Sequence, residues 1–281
     1  MAGFISAIRA TLTELMGQDD TAAPCLPPGL PDEVRTVALQ GVAILIDYQG
    51  PGYAQLYCDR MRRFVGRRGV DDALFCEIAR LLAVRMSYHD PIRIAQLKLA
   101  EPLAAGRAPV VDIRRFRADE LISALPEIVG DPVLWALESV SCSHRTIAMR
   151  FSNVGWWSRR RLRLEASLRR WRLLSVRYEA ERRWVERWLH MIDRALTNRP
   201  EAVAAIVQTA TMIEGYGTGY RHGLAAWHQI IDGLAKPVFD GALHLPDLAD
   251  AIRRARAVPL DPKGDQLRRA IAEIRARART P

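Results

Sequence analysis

Residues 158–199 read SRRRLRLEASLRRWRLLSVRYEAERRWVERWLHMIDRALTNR, without a single Gly or Pro. Trp171, Leu174, Tyr178, Val185, Trp188, Ile192 and Ala195 recur at alternating spacings of three and four, and only Glu181 interrupts the register. That spacing draws an apolar stripe along one side of a helix, or of two helices meeting near Ser175. The stretch from Arg159 to Arg199 holds 13 Arg and 5 acids, a net +8 in a chain of net +9. The basicity of the protein is therefore largely one element.

The signs are unevenly spread along it. From Arg177 onward they interleave: Arg177 with Glu181, Glu179 with Arg183 and Arg182 with Glu186 stand at i,i+4. Such pairs stabilise an exposed helix by roughly 0.2–0.5 kcal/mol each, so this half reads as a solvated face. Between Arg159 and Arg177 eight Arg face one acid, Glu165. Two readings are open there. Arg stems can cover apolar surface while their heads stay wet, or this end meets an acidic protein surface or a polyphosphate. The candidate basic face comprises Arg159, Arg160, Arg161, Arg163, Arg169, Arg170 and Arg172.

At 281 residues the chain can bury a substantial core,. Its 49% hydrophobic and 26% charged residues exclude disorder on composition,. Arg outnumbers Lys 38 to 3, a ratio that points to a GC-rich genome, so Arg clustering rather than Arg count carries the argument. Cys25, Cys58, Cys76 and Cys142 form no C-x-x-C and pair with no His, which argues against a zinc site or an iron–sulfur cluster held by this chain alone,. Their number and the absence of a secretion signal fit a reducing cytoplasm. The most span-like apolar run, 202–213, is far shorter than the ~20 residues a membrane crossing needs,.

Along the chain, Phe4, Ile5, Ile8, Leu12, Leu15 and Met16 form a helical stripe ended by Gly17, and a Pro-rich linker follows over 18–31,. Pro31, Asp32 and Glu33 open a helix that Gly50-Pro51-Gly52 stops,. A second runs over 53–65, a third over 73–86 capped by Asp71 or Asp72, and a fourth begins at Asp90-Pro91 and ends before Pro102,. Residues 103–157 are the least legible. Val110, Val111 and Ile113 are a weak strand signal, and 118–125 and 133–140 suit short helices,. After the Arg-rich element come helices over 200–213, 220–236 (to Pro237), 245–257 and 265–279. The expected fold is all-α: an antiparallel helical bundle with one long Arg-rich helix or helix pair and little or no β-structure. Its expected parts are 1–31, a helical domain over 32–260, and a basic helix over 261–281.

Few constellations suggest chemistry. Gly215, Tyr216, Gly217, Thr218 and Gly219 precede a helix, where free N–H groups favour an anion, and Arg221 and His222 follow,. The loop has no P-loop Lys and follows no strand, so a tight turn between packed helices is the competing reading. His89 beside Asp90 and His222 near the loop have polar company. Ser141, Ser143 and His144 cluster with no nucleophile motif around them,. Trp156, Trp157, Trp171, Trp184 and Trp188 are spaced for a core or for pairing with a second copy rather than for stacking on bases,. No catalytic set emerges.

Four stretches, LIDYQGPGYAQLYCDR (45–60), MSYHDPIRIAQLKLA (86–100), LRRW (168–171) and MIEGYGTGYRHGLAAW (212–227), together resemble a known family. They are similar, in order and spacing over about 33–260, to the C-terminal helical region of the β-subunit family of indolepyruvate:ferredoxin oxidoreductases, the thiamine-dependent 2-oxoacid oxidoreductases. In that family the region has no assigned function and follows a catalytic domain, which is expected to be missing here. The family tends to carry Gly-Tyr-Gly-Asp-Thr where Thr218 and Gly219 stand at the last two positions. The resemblance implies no catalytic residue in this chain. Thiamine diphosphate and iron–sulfur clusters are expected only in partner subunits.

The expectation is therefore a cytoplasmic, non-catalytic accessory subunit. Its partners would be the catalytic subunits of such a complex or an acidic electron carrier. The alternative is an Arg-rich helical nucleic-acid binder, against which stand the acids after Arg177 and the lack of a binding module. A third reading is an enzyme that binds a small anion at the Gly loop.

Overall fold

The computed structural model describes residues 23–101, 111–123, 146–152, 155–215, 217–261 and 263–278. The expected helices over 4–16 and 133–140, the Ser141–His144 cluster, Val110 and Tyr216 lie outside them, as do the side chains of Arg170 and Trp171. The described chain is mostly helical with one two-stranded antiparallel sheet. It divides into two compact units, Met1–Ser87 and Tyr88–Pro281. The division falls inside the stretch that reads as one helical domain.

In the first unit, α1 (Asp32–Tyr48) begins after Pro31 with two acids in its first turn, where they meet the positive end of the helix dipole. Gly50, at φ 129°, turns the chain into α2 (Pro51–Met61), whose N-terminal Pro has no N–H to leave unmet,. A single 3₁₀ turn follows at Arg62–Phe64. Asp71 caps α3 (Asp72–Met86), its Oδ1 accepting from the Leu74 N–H at 2.8 Å. Both α2 and α3 pack on α1, burying Leu45, Tyr48, Tyr57, Met61, Ile78 and Leu82 completely or nearly so. The Tyr57 ring occupies the space a side chain at Gly41 would take, and its hydroxyl donates to the Ala79 carbonyl at 3.1 Å. Burial raises the Tyr57 pKa, with a smaller contribution from Cys58.

The second unit opens with α4 (Pro91–Ala100), capped by Asp90. Strand β1 (Asp112–Arg117) leads into the short α5 (Ala118–Ser123) and pairs antiparallel with β2 (Thr146–Phe151), with Asp112 opposite Phe151 and Phe116 opposite Ile147. Only Phe116 and Phe151 of these strands are buried, meeting edge to face at 6.3 Å. With Ile94, Ala95 and Leu162 they form a core cluster against which Leu99, Leu121 and Met149 pack.

The Arg-rich stretch is a helix pair. Helix α6 (Trp156–Ser167) passes into a 3₁₀ segment, Leu168–Leu174, and α7 (Val176–Asn198) starts at Ser175, whose Oγ accepts from the Tyr178 N–H at 3.1 Å. The apolar stripe of α7 is buried at Val185, Trp188, Ile192 and Ala195. It packs on α8 (Val203–Gln208), and Trp188 donates its indole N–H to the Ile206 carbonyl at 3.3 Å. Trp184 stacks on Trp188 and meets Trp227 of α9 (Gly217–Ile230) edge-on.

The expected stop at Pro237 does not occur. A π-helical turn, Ile231–Ala235, precedes α10 (Lys236–Phe239), and Pro237 sits at its start. The wide turn relieves the clash a proline makes with the carbonyl four residues back. That residue is Gly233, where a Cβ would lie 2.9 Å from Ile271 of α12 (Asp265–Arg277). Helix α11 (Leu248–Arg256) covers α8 with Leu248, Ile252 and Ala255 buried.

Candidate functional site

Helix α6 buries little of itself: Leu162 is its one buried residue. Trp156 and Trp157 are 62% and 73% exposed, and Leu164 is 66% exposed. Helical spacing puts Trp156, Arg160 and Leu164 in one row, with Trp157 and Arg161 in the next. The two indoles meet edge to face at 4.4 Å, and the Arg160 guanidinium lies 5.4 Å from the Trp156 ring. Arg161 is bound to Glu165 at 2.7 Å. Arg160 and Arg163 are exposed and meet no carboxylate among the described residues. Trp, Arg and Leu therefore share one solvent-facing surface.

The rest of the expected basic face is placed differently. Arg159 and Arg169 are half-buried. Arg172 is 1% exposed, so it offers nothing to a partner. Its Nε and Nη2 donate to the two oxygens of Asp90 at 2.6 and 3.0 Å. The same carboxylate caps α4, accepting from the Arg93 N–H at 2.6 Å. A guanidinium drawn into the interior needs such a bidentate partner, because an unpaired buried charge is prohibitively desolvated.

A second ion pair lies close in sequence. Arg177 and Glu181 are both buried, with 3.9 Å between Nε and carboxylate. The Arg177 guanidinium sits between the rings of Tyr88 and Tyr220, 5.2 and 4.8 Å from their centroids. Burial works against its charge, but Glu181, the two tyrosines and Asp90 outweigh it and hold its pKa above the usual value. The expectation of a solvated Arg177–Glu181 pair is thus corrected: the acid that interrupts the apolar stripe goes inside with its partner. The pair Glu179–Arg183 is exposed as expected, at 3.5 Å, and Arg182 reaches Glu179 at 3.9 Å.

The Gly loop does not gather its candidates. Gly215 and Gly217 take positive φ, and Gly217, Thr218 and Gly219 already belong to the first turn of α9. Arg221 turns away to Asp119 and Glu120 of α5, 3.4 Å from each, and so arrives neutralised. His222 lines a separate 60 Å3 hollow with Leu260, Asp261 and Leu267. Among the described residues no three His, Cys, Asp or Glu side chains are placed to hold a metal ion. No described helix is long and apolar enough to cross a membrane.

Sequence reasoning treated Asp90 as a cap and missed its second role, since nothing local announces a partner 82 residues away. It placed Trp156 and Trp157 with the core or a subunit interface, and their exposure takes them out of the core. Comparison with curated proteins and with solved structures gives no match. A family model covers residues 34–233, which include all four quoted stretches, and the chain belongs to that family, a family of unknown function (DUF6537).

Proposed function

We propose that this protein is a non-catalytic helical accessory subunit that docks through the outer face of α6 onto an acidic partner. The observation that carries the reading is the pair of exposed indoles flanked by exposed guanidinium groups. Trp and Arg dominate the energetics of protein interfaces, whereas a contiguous apolar patch left in water has an unfavourable hydration cost. Arg160 and Arg163 would set the approach, since rim charges chiefly raise association rates and are screened beyond a Debye length of ~8 Å at physiological salt. Trp156, Trp157 and Leu164 would supply the buried centre. The resemblance of the four stretches supports a finer version, in which the partner is a catalytic subunit of a 2-oxoacid:ferredoxin oxidoreductase-like complex or its acidic electron carrier. Thiamine and cluster chemistry would then belong to those subunits.

The test uses the purified catalytic subunits of such an oxidoreductase from the same genome, with surface-immobilised full chain. Arg160→Glu with Arg163→Glu is expected to slow association in low salt and lose that effect in high salt. Trp156→Ala with Trp157→Ala is expected to speed dissociation, costing about 2 kcal/mol or more if the indoles are the centre of the interface. No binding by the wild-type chain removes the finer version. Binding that both variants leave unchanged removes the α6 face.

A further inference from the structure

Helix α4 and strand β1 wall a cavity of about 330 Å3, bordered at one edge by Gly215. Its volume lies in the range of small-molecule pockets. The charges on its wall alternate. Lys98 Nζ is 2.7 Å from Glu101 and 3.5 Å from Asp112, and Arg114 in turn is 3.7 Å from Asp112. The row runs negative, positive, negative, positive, and its Lys98 is only 2% exposed. His89 faces the same space. Its burial, with Arg93, Arg114 and Arg177 nearby and Asp90 opposing them, holds its pKa below 6.5. At neutral pH it is an uncharged imidazole with one donor and one acceptor. Ile94 and Leu97 give the cavity an apolar side, and Leu97 is 40% exposed there.

This arrangement discriminates between ligand classes. A phosphate or simple carboxylate would gain Arg114 but face Glu101 and Asp112. A metal ion or plain amine would gain the carboxylates but face Lys98 and Arg114. Lys98 is buried, but the side chains of Glu101, Asp112 and Arg114 are 48%, 34% and 38% exposed, so these three present charge to the open volume as well as to one another. A molecule that carries both signs a short distance apart, with an apolar remainder, matches the described lining residues of both signs and the apolar side. We propose that this cavity binds a free α-amino acid with an apolar side chain. Its carboxylate lies toward Arg114 and His89, its ammonium toward Glu101 and Asp112, and its side chain against Ile94 and Leu97. The proposal is independent of the α6 docking face, which shares none of these residues.

Calorimetric titration of the full chain at neutral pH tests it. L-leucine and L-phenylalanine would be compared with 3-methylbutylamine, 4-methylpentanoate and inorganic phosphate. An amino acid is expected to saturate a single site and to raise the unfolding midpoint. Each single-charge analogue should bind about tenfold or more weakly, the usual loss when a charged hydrogen bond goes unmade. Arg114→Gln, at a partly exposed strand position, is expected to weaken the amino acid by a similar factor, with the ligand-induced rise in midpoint shrinking relative to that variant's own ligand-free midpoint,. Lack of binding by both amino acids overturns the proposal and leaves a hydrated cavity. So does an amine, acid or phosphate that binds as tightly as the amino acid, or an Arg114→Gln chain that binds as well as wild type.

Discussion

Asp90 holds two elements at once: it caps α4 through the Arg93 N–H and grips the guanidinium of Arg172. With both side chains almost wholly buried, removing either partner takes the bidentate contact from the other charge where water does not replace it,. Arg172→Ala or Asp90→Ala is therefore expected to cost about 3–5 kcal/mol in urea unfolding, and Asp90→Asn less because the cap survives. The double variant Asp90→Leu, Arg172→Met should cost well below the sum of the single changes. Single losses under about 1 kcal/mol would mean that water reaches the pair. Half of this was legible in the sequence. Asp-Pro announces a cap, whereas the burial of Glu181 was not legible, because its i,i+4 spacing from Arg177 reads as a solvated pair,. Which distant arginine meets Asp90 is decided by packing, and no local pattern encodes it.

Helix α9 is placed by a glycine. At Gly223 a Cβ would stand 2.1 Å from the carbonyl oxygen of Met212, backbone that cannot swing aside. The helix therefore lies closer to the 3₁₀ turn Thr209–Met212 than any larger residue allows. Gly223→Ala is expected to destabilise by about 1–3 kcal/mol or more through overpacking. Gly219, in the same helix and with open space where its Cβ would go, is the contrast. Gly219→Ala should be neutral or stabilising by up to about 1 kcal/mol. Equal effects at the two positions would sink this account of the packing. Most helices were legible because caps, acids and prolines mark their ends. The sheet was not, because β1 reads DIRRFR and its one buried side chain, Phe116, leaves no alternation to detect. The run through Pro237 was hidden too, since a π-turn is a tertiary adjustment around Gly233 and Ile271 that no periodicity foretells.

The family span, 34–233, crosses the boundary at residue 87, so it includes parts of both units. Their chemistry is nonetheless segregated: all six His and all seven Trp come after residue 87. Tryptophan fluorescence therefore reports the second unit alone, and histidine titration acts on it alone. The Arg187 guanidinium donates to His228 Nδ1, 2.9 Å away, and also binds Asp232,. Burial and then Arg187 lower its pKa against the pull of Asp232, as burial and three arginines lower that of His89. Both groups thus take up protons more readily in the unfolded chain, near its ordinary value of 6.5, than in the fold. Where the unfolded state binds more protons, stability rises with pH. It is complete above that value and is lost as pH falls toward the lower folded values. Protonation also adds positive charge to a chain already at +9,. The urea midpoint followed by tryptophan fluorescence is expected to drop between about pH 7.5 and pH 5.5. His89→Gln with His228→Gln, which keep a neutral acceptor at both places, should flatten that slope. A wild-type midpoint that stays level or climbs on acidification would show that neither imidazole is held neutral by its surroundings.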